Sequence, residues 1–158
     1  HGYNDEVVYG LVRLDTAEGM KRTAAQAAAF LERSGAAVVT ISQQLTELAR
    51  SGAKIAIWGG TGKAAAFMHQ FGVDAERFPL VVDSDPDKAG TFVPGTGQEI
   101  LFRDALKTMR VDVLIIPAQW RAKDIVAEMR QGGIEPRRIL IEHGGRLVDF
   151  ASDSHPYR

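Results

Sequence analysis

Lys54-Ile-Ala-Ile-Trp58-Gly-Gly-Thr-Gly62-Lys63 is the stretch whose reading decides the fold. A short β-branched run enters a glycine cluster, which opens into an Ala-rich helical segment from Ala64 to Gln70. A second apolar run, Val81-Val82-Asp83, then ends in an acid. Its distance of about 20 residues from the glycines is the spacing of a dinucleotide-type βαβ unit. That order predicts a cleft shaped for phosphate or nucleotide at the carboxyl ends of parallel strands. It does not by itself define a reaction.

Outward from this unit, Leu80 to Val82, Val113 to Ile116 and Arg138 to Ile141 read as further short strands. Helical segments separate them, around Arg103 to Met109 and over Arg121 to Arg130. Continuous rather than alternating apolar strands, interleaved with helices, indicate a parallel sheet covered on both faces. The expected fold is α/β, a Rossmann-like doubly wound sheet of about four to five strands, in which right-handed crossovers favour the strand order 2-1-3-4. Upstream, Val7 to Leu14 alternates loosely and reads as a strand. Met20 to Arg50 reads as a long helix or a broken helix pair, with Ala24, Ala27, Ala28, Phe30 and Leu31 on one face and Val38, Ile41, Leu45 and Leu48 at helical steps. Ser34-Gly35 is the expected point of any kink or break. The organisation is an N-terminal extension (1–19), one domain (20–150) and a polar tail (151–158) expected to fray.

The 158 residues suit one domain with a real core. Nineteen basic and 20 acidic residues leave a formal net charge of -1, so no global field recruits nucleic acid or a membrane surface. There is no cysteine, which excludes disulfides, thiolate nucleophiles and Cys-ligated metals. No apolar run approaches the roughly 20 residues of a membrane span, and no signal-peptide pattern opens the chain, so a cytoplasmic location is expected. The chain begins at His1, which reads as a segment of a longer protein or as added leading residues. His69 and His143 lie in separate elements with no carboxylate at ligand spacing, so no bound metal is expected.

Gly60-Thr61-Gly62-Lys63-Ala64-Ala65 fits the pattern G-x-G-x-x-A, following Gly59. In that pattern the first glycine permits the tight turn, the second lets a ligand approach, and the small last residue lets helix and strand pack closely. The helix N-terminus that follows suits a phosphate, and Lys63 would add a point charge. A plain strand-to-helix turn explains the same glycines. Asp83 reads either as a ribose-hydroxyl acceptor or as the cap of the turn Asp83-Ser84-Asp85-Pro86. A Walker A loop fails, because Ile57 stands where its first glycine belongs and Ala64 follows the lysine. Gln119 and Trp120, after the third strand, suit hydrogen bonding and ring stacking at the cleft.

Farther on come Pro86, Lys88 and Gly90, then Pro94-Gly95-Thr96. Together with Trp58-Gly59, Lys63, Phe71-Gly72-Val73 and Val81-Val82-Asp83, these positions resemble the C-terminal domain of SAM-dependent sugar C-methyltransferases. The resemblance runs from about Ile55 to Ile100 and returns in Gly144-Gly145-Arg146-Leu147-Val148. Departures are Ala64, His69 and Gly97-Gln98-Glu99. The resemblance implies the substrate-side domain of an enzyme that methylates a nucleotide sugar or related small molecule. Gly59, Gly60, Thr61, Gly62 and Lys63 would then shape the phosphate or sugar pocket. Asp83 would hold a hydroxyl, and Lys88 with Pro94, Gly95 and Thr96 would order the rim. It implies no catalytic residue in this chain, no cofactor bound by it, and SAM and a methyl-transfer domain upstream in the parent enzyme. Two other readings stay open: a free-standing nucleotide- or NAD-binding module, and a non-catalytic scaffold that dimerises through the segment Met20 to Arg50.

Overall fold

The apolar runs become the centre of a single sheet. A computed structural model describes residues 10, 11 and 17–158. In chain order the elements are α1 (Ala17–Arg50), β1 (Ile55–Trp58), α2 (Lys63–Phe71), β2 (Leu80–Asp83), a 3-10 turn (Pro86–Lys88), β3 (Ile100–Phe102) and α3 (Ala105–Thr108). They continue with β4 (Val113–Ile116), a second 3-10 turn (Gln119–Arg121), α4 (Ala122–Gln131), β5 (Arg138–His143) and β6 (Arg146–Asp149). The strand expected over Val7 to Leu14 lies, apart from Gly10 and Leu11, outside the described residues.

The sheet order is β3-β2-β1-β4-β5-β6, with every pairing parallel except β5 to β6. The four strands read from the sequence therefore lie in the expected order. Two short edge strands, β3 and β6, bring the sheet to six. Each central strand feeds two apolar layers. Ile55 and Ile57 of β1 pack with α1 and α2 through Leu45, Phe67 and Met68, while Ala56 and Trp58 pack with α4 through Ile125, Val126 and Met129. Burial on both faces is why these strands carry no polar alternation.

α1 is one unbroken helix of 34 residues. Gly35 lies exposed in its middle with open space around it, so it costs about 1 kcal/mol of propensity and introduces no break. Only the C-terminal half is seated. Ile41 and Leu45 are buried, and the Gln44 amide pairs with the backbone of Leu147 in both directions, at 2.9 and 2.7 Å. Ala37 meets Gly145 in the β5–β6 turn, and Arg50 leads through Ser51-Gly52 to the start of β1. The helix thus runs antiparallel to β1, and its first 20 or so residues extend about 30 Å past the carboxyl edge of the sheet. On that overhang Met20, Phe30 and Leu31 are more than half exposed.

The tail, expected to fray, folds back instead. Asp149 Oδ1 accepts from the amides of Ala151 (2.9 Å) and Ser152 (3.2 Å), and Oδ2 from Arg138 Nε at 3.3 Å. His155 Nε2 pairs with the Phe150 carbonyl at 2.9 Å. The Tyr157 ring then meets His143 edge-on, 5.7 Å between centroids. Burial of Asp149 opposes its charge, yet the Ala151 and Ser152 amides and the Arg138 guanidinium outweigh it and hold the carboxyl below its ordinary range. A depressed folded pKa stabilises above the unfolded value, and that stability is lost as pH falls through the folded value. Asp149→Asn should therefore cost about 1 kcal/mol at pH 7, with the gap to the parent chain closing progressively below about pH 4. Urea unfolding at a series of pH values checks this; a gap independent of pH would contradict the account.

Candidate functional site

The crossover through α2 covers one face of the sheet and that through α4 the other, so the winding reverses between β1 and β4. In an open α/β sheet the ligand crevice lies outside the carboxyl ends at such a reversal. In this sheet that position is flanked by the loop Gly59–Gly62 after β1 and the segment from Pro117 to Trp120 after β4.

The glycines have separate tasks. Gly59 takes φ 102 and its amide donates to the Val82 carbonyl at 2.7 Å, extending the β1–β2 ladder. Gly60 is required by packing: a Cβ there would stand 2.1 Å from Ile100 Cδ1 and 2.5 Å from its Cγ1. Gly62, at φ 56, caps α2 with no side-chain cap bond and open space about it. The first turn of α2 carries no acid, and the amides of Thr61 and Gly62 have no hydrogen-bond partner among the described residues. An uncapped N-terminus with oriented amides and a partial positive charge favours an anion.

Lys63 reaches across the reversal. Its Nζ donates to Gln119 Oε1 at 2.8 Å and stands 4.8 Å from the centre of the Trp120 ring. Gln119 Nε2 in turn lies 3.5 Å from Glu142 Oε2 at the end of β5. One polar chain therefore links the carboxyl ends of β1, β4 and β5. On the other side of β1, the buried Asp83 carboxylate gathers its own group. Oδ2 accepts from Gly60 N and Lys88 Nζ, both at 3.2 Å, and Oδ1 accepts from Asp85 N at 3.0 Å. Asp83 thus fixes the glycine loop to the turn Pro86–Lys88, and a ligand hydroxyl would have to compete for its oxygens.

Gly59, Gly60, Thr61, Gly62, Lys63, Asp83, Lys88, Gln119 and Trp120 accordingly meet at one edge. Pro94, Gly95 and Thr96 do not join them. Because β3 is parallel to β2, the chain must return to the amino edge, and it does so in a hairpin where Val93 N donates to Gln98 O at 2.8 Å. Gly95 lies against His69, six residues or about 9 Å along α2 from Lys63. Gln98 Nε2 anchors the hairpin on the Val73 carbonyl at 2.9 Å. Sequence reading missed Glu142, although the signal that drew attention to Asp83, an acid ending a parallel strand, is equally present there. A cavity of about 440 Å³ lies at the opposite edge, among Leu106, Lys107, Arg110, Asp112 and Arg137. Among the described residues no helix is long and apolar enough to cross a membrane.

A doubly wound, mostly parallel sheet whose winding reverses between β1 and β4, with an open helix N-terminus and a lysine at that reversal, defines a Rossmann-like domain. Residues 3–148 match the C-methyltransferase C-terminal domain family, and the chain belongs to that family. No curated protein sequence matches it. Among solved structures, the crystal structure of UDP-D-quinovosamine 4-dehydrogenase from Vibrio fischeri is similar at 14% identity and a TM-score of 0.44, covering 63% of this chain and 94% of that one.

The packing role of Gly60 gives a direct expectation. Gly60→Ala should destabilise the domain by about 1–3 kcal/mol through overpacking, and adding Ile100→Val, which removes the nearest methyl, should restore part of the loss. Thermal unfolding of the single and double variants checks this. A single variant as stable as the parent chain would contradict it.

Proposed function

We propose that this chain is the acceptor-binding part of a SAM-dependent C-methyltransferase, holding a nucleotide-linked sugar or a related phosphorylated small molecule at the β1/β4 reversal. The observation that carries the reading is Lys63, set beside the uncapped N-terminus of α2 and facing Gln119 and Trp120 across the crevice. A phosphate meeting the Thr61 and Gly62 amides would compete with the Gln119 carbonyl for the ammonium. The face of Trp120 that Lys63 now covers would then be released to stack on a ring. SAM supplies the methyl group in such an enzyme. No residue of this chain is assigned to it, because the acid best placed for an adenosine ribose, Asp83, is engaged by Gly60, Asp85 and Lys88. The same engagement speaks against NAD as the resident ligand.

The overhang of α1 fits this reading. Its uncovered apolar residues stand beyond the edge that carries the crevice, where an upstream methyl-transfer domain would both cover them and face the bound acceptor. The chain binds, orients and shields; the reacting carbon is handled by the partner domain. Sedimentation of the chain alone distinguishes this from self-association through the same helix.

Titration calorimetry against dTDP- and UDP-sugars, SAM and NAD tests the proposal. Sugar nucleotides should bind with a change in Trp120 emission, and Lys63→Ala should weaken them at least about tenfold, as loss of a charged hydrogen bond implies. Tight NAD binding without a response to sugar nucleotides would overturn it, as would unchanged affinity in Lys63→Ala.

A further inference from the structure

Two acids end parallel strands at this edge, and their surroundings differ. Asp83 has three hydrogen-bond donors, one of them the Lys88 ammonium. Glu142 is half-buried and has no ion-pair partner among the described residues. Its two contacts are long, 3.3 Å from Gly145 N to Oε1 and 3.5 Å from Gln119 Nε2 to Oε2. An ionised carboxylate offers about four acceptor positions, so Glu142 retains capacity that Asp83 has largely spent. Capping the β5–β6 turn uses only Oε1, on the Gly145 amide, while Oε2 is turned to the Gln119 amide.

The Gln119 amide shows what Glu142 is matched to. It turns its carbonyl to Lys63 and its NH2 to Glu142, so a group replacing it must present an acceptor on one side and a donor on the other. The two anchors are one amide apart. A phosphate with a hydroxyl on the carbon framework directly attached to it meets that pattern, since phosphate only accepts and a hydroxyl can donate. The base of a nucleotide carries no such hydroxyl; the ribose does, on the α-phosphate, and the bare nucleotide used as a probe separates it from the sugar on the other phosphate.

We infer that Glu142 is a second ligand anchor, accepting from hydroxyls of the sugar or polyol whose phosphate meets Lys63, with Gln119 as the group the ligand displaces. The inference rests on the proposed acceptor-binding reading and extends it to specificity. Glu142 selects hydroxylated, uncharged rings and rejects those bearing a carboxylate there, because like charges at this separation repel.

The test uses the full chain and whichever of dTDP and UDP binds more tightly, alone, linked to glucose, and linked to glucuronate. The glucose-linked nucleotide should bind more tightly than the nucleotide alone, and the glucuronate-linked one more weakly than the glucose-linked one. Glu142→Gln, which keeps an oxygen for Gly145, should lose about tenfold toward the glucose-linked nucleotide, leave the bare nucleotide unchanged and narrow the discrimination against glucuronate. A Glu142→Gln chain that melts like the parent and binds all three probes as the parent does overturns the inference and leaves the phosphate reading standing. An equal loss for all three probes also overturns it, assigning Glu142 to scaffolding or to the ribose that all three share. Failure of every nucleotide to bind the parent chain overturns both readings together.

Discussion

The carboxylate of Asp83 is the point on which the carboxyl edge depends. It is buried at the end of β2, a position that a charge can hold only when its oxygens are satisfied. The satisfying groups are the Gly60 amide, in the loop after β1, and the Asp85 amide and Lys88 ammonium, in the turn after β2. Binding them fixes the glycine loop after β1 to the turn after β2. The bare Cα of Gly60 then admits Ile100 of β3, so the same loop also sets how closely the edge strand packs. With the loop held there, α2 begins at the reversal, and Lys63 falls opposite Gln119 and Trp120.

Much of this was legible in the sequence because burial on two faces leaves a plain mark. β1, β2, β4 and β5 are continuous apolar runs, and their order follows from crossover handedness. The edge strands were not legible. β3 has three residues beside the polar pair Gln98-Glu99, and β6 begins and ends in charge, so neither run separates from loop by composition. Gly35 suggested a break in α1 that does not occur, since a single exposed glycine costs less than the surrounding alanine-rich turns supply. The tail looked frayed because its stabilising partners, Arg138 and His143, lie outside its own segment.

The site divides in the same way. The local signals, a glycine loop before a helix and an acid ending a strand, led to Gly59–Lys63 and Asp83. Residues that meet through topology were harder to place. Pro94, Gly95 and Thr96 follow Asp83 closely in the chain, yet the parallel pairing of β3 carries them to the far half of α2. Glu142 is far from Lys63 in sequence, and only the order β1-β4-β5 brings it within one amide of that lysine. α1 carries no such motif, and half of it stands beyond the edge that the loop organises.

The most direct test of the central claim is a map of backbone and side-chain amide shifts in the 15N-labelled chain during titration with a dTDP- or UDP-sugar. The account predicts the largest changes at the Thr61 and Gly62 amides and at the Gln119 side-chain NH2. Changes concentrated at the opposite edge, around Lys107, Arg110 and Arg137, with the glycine loop unmoved, would contradict it.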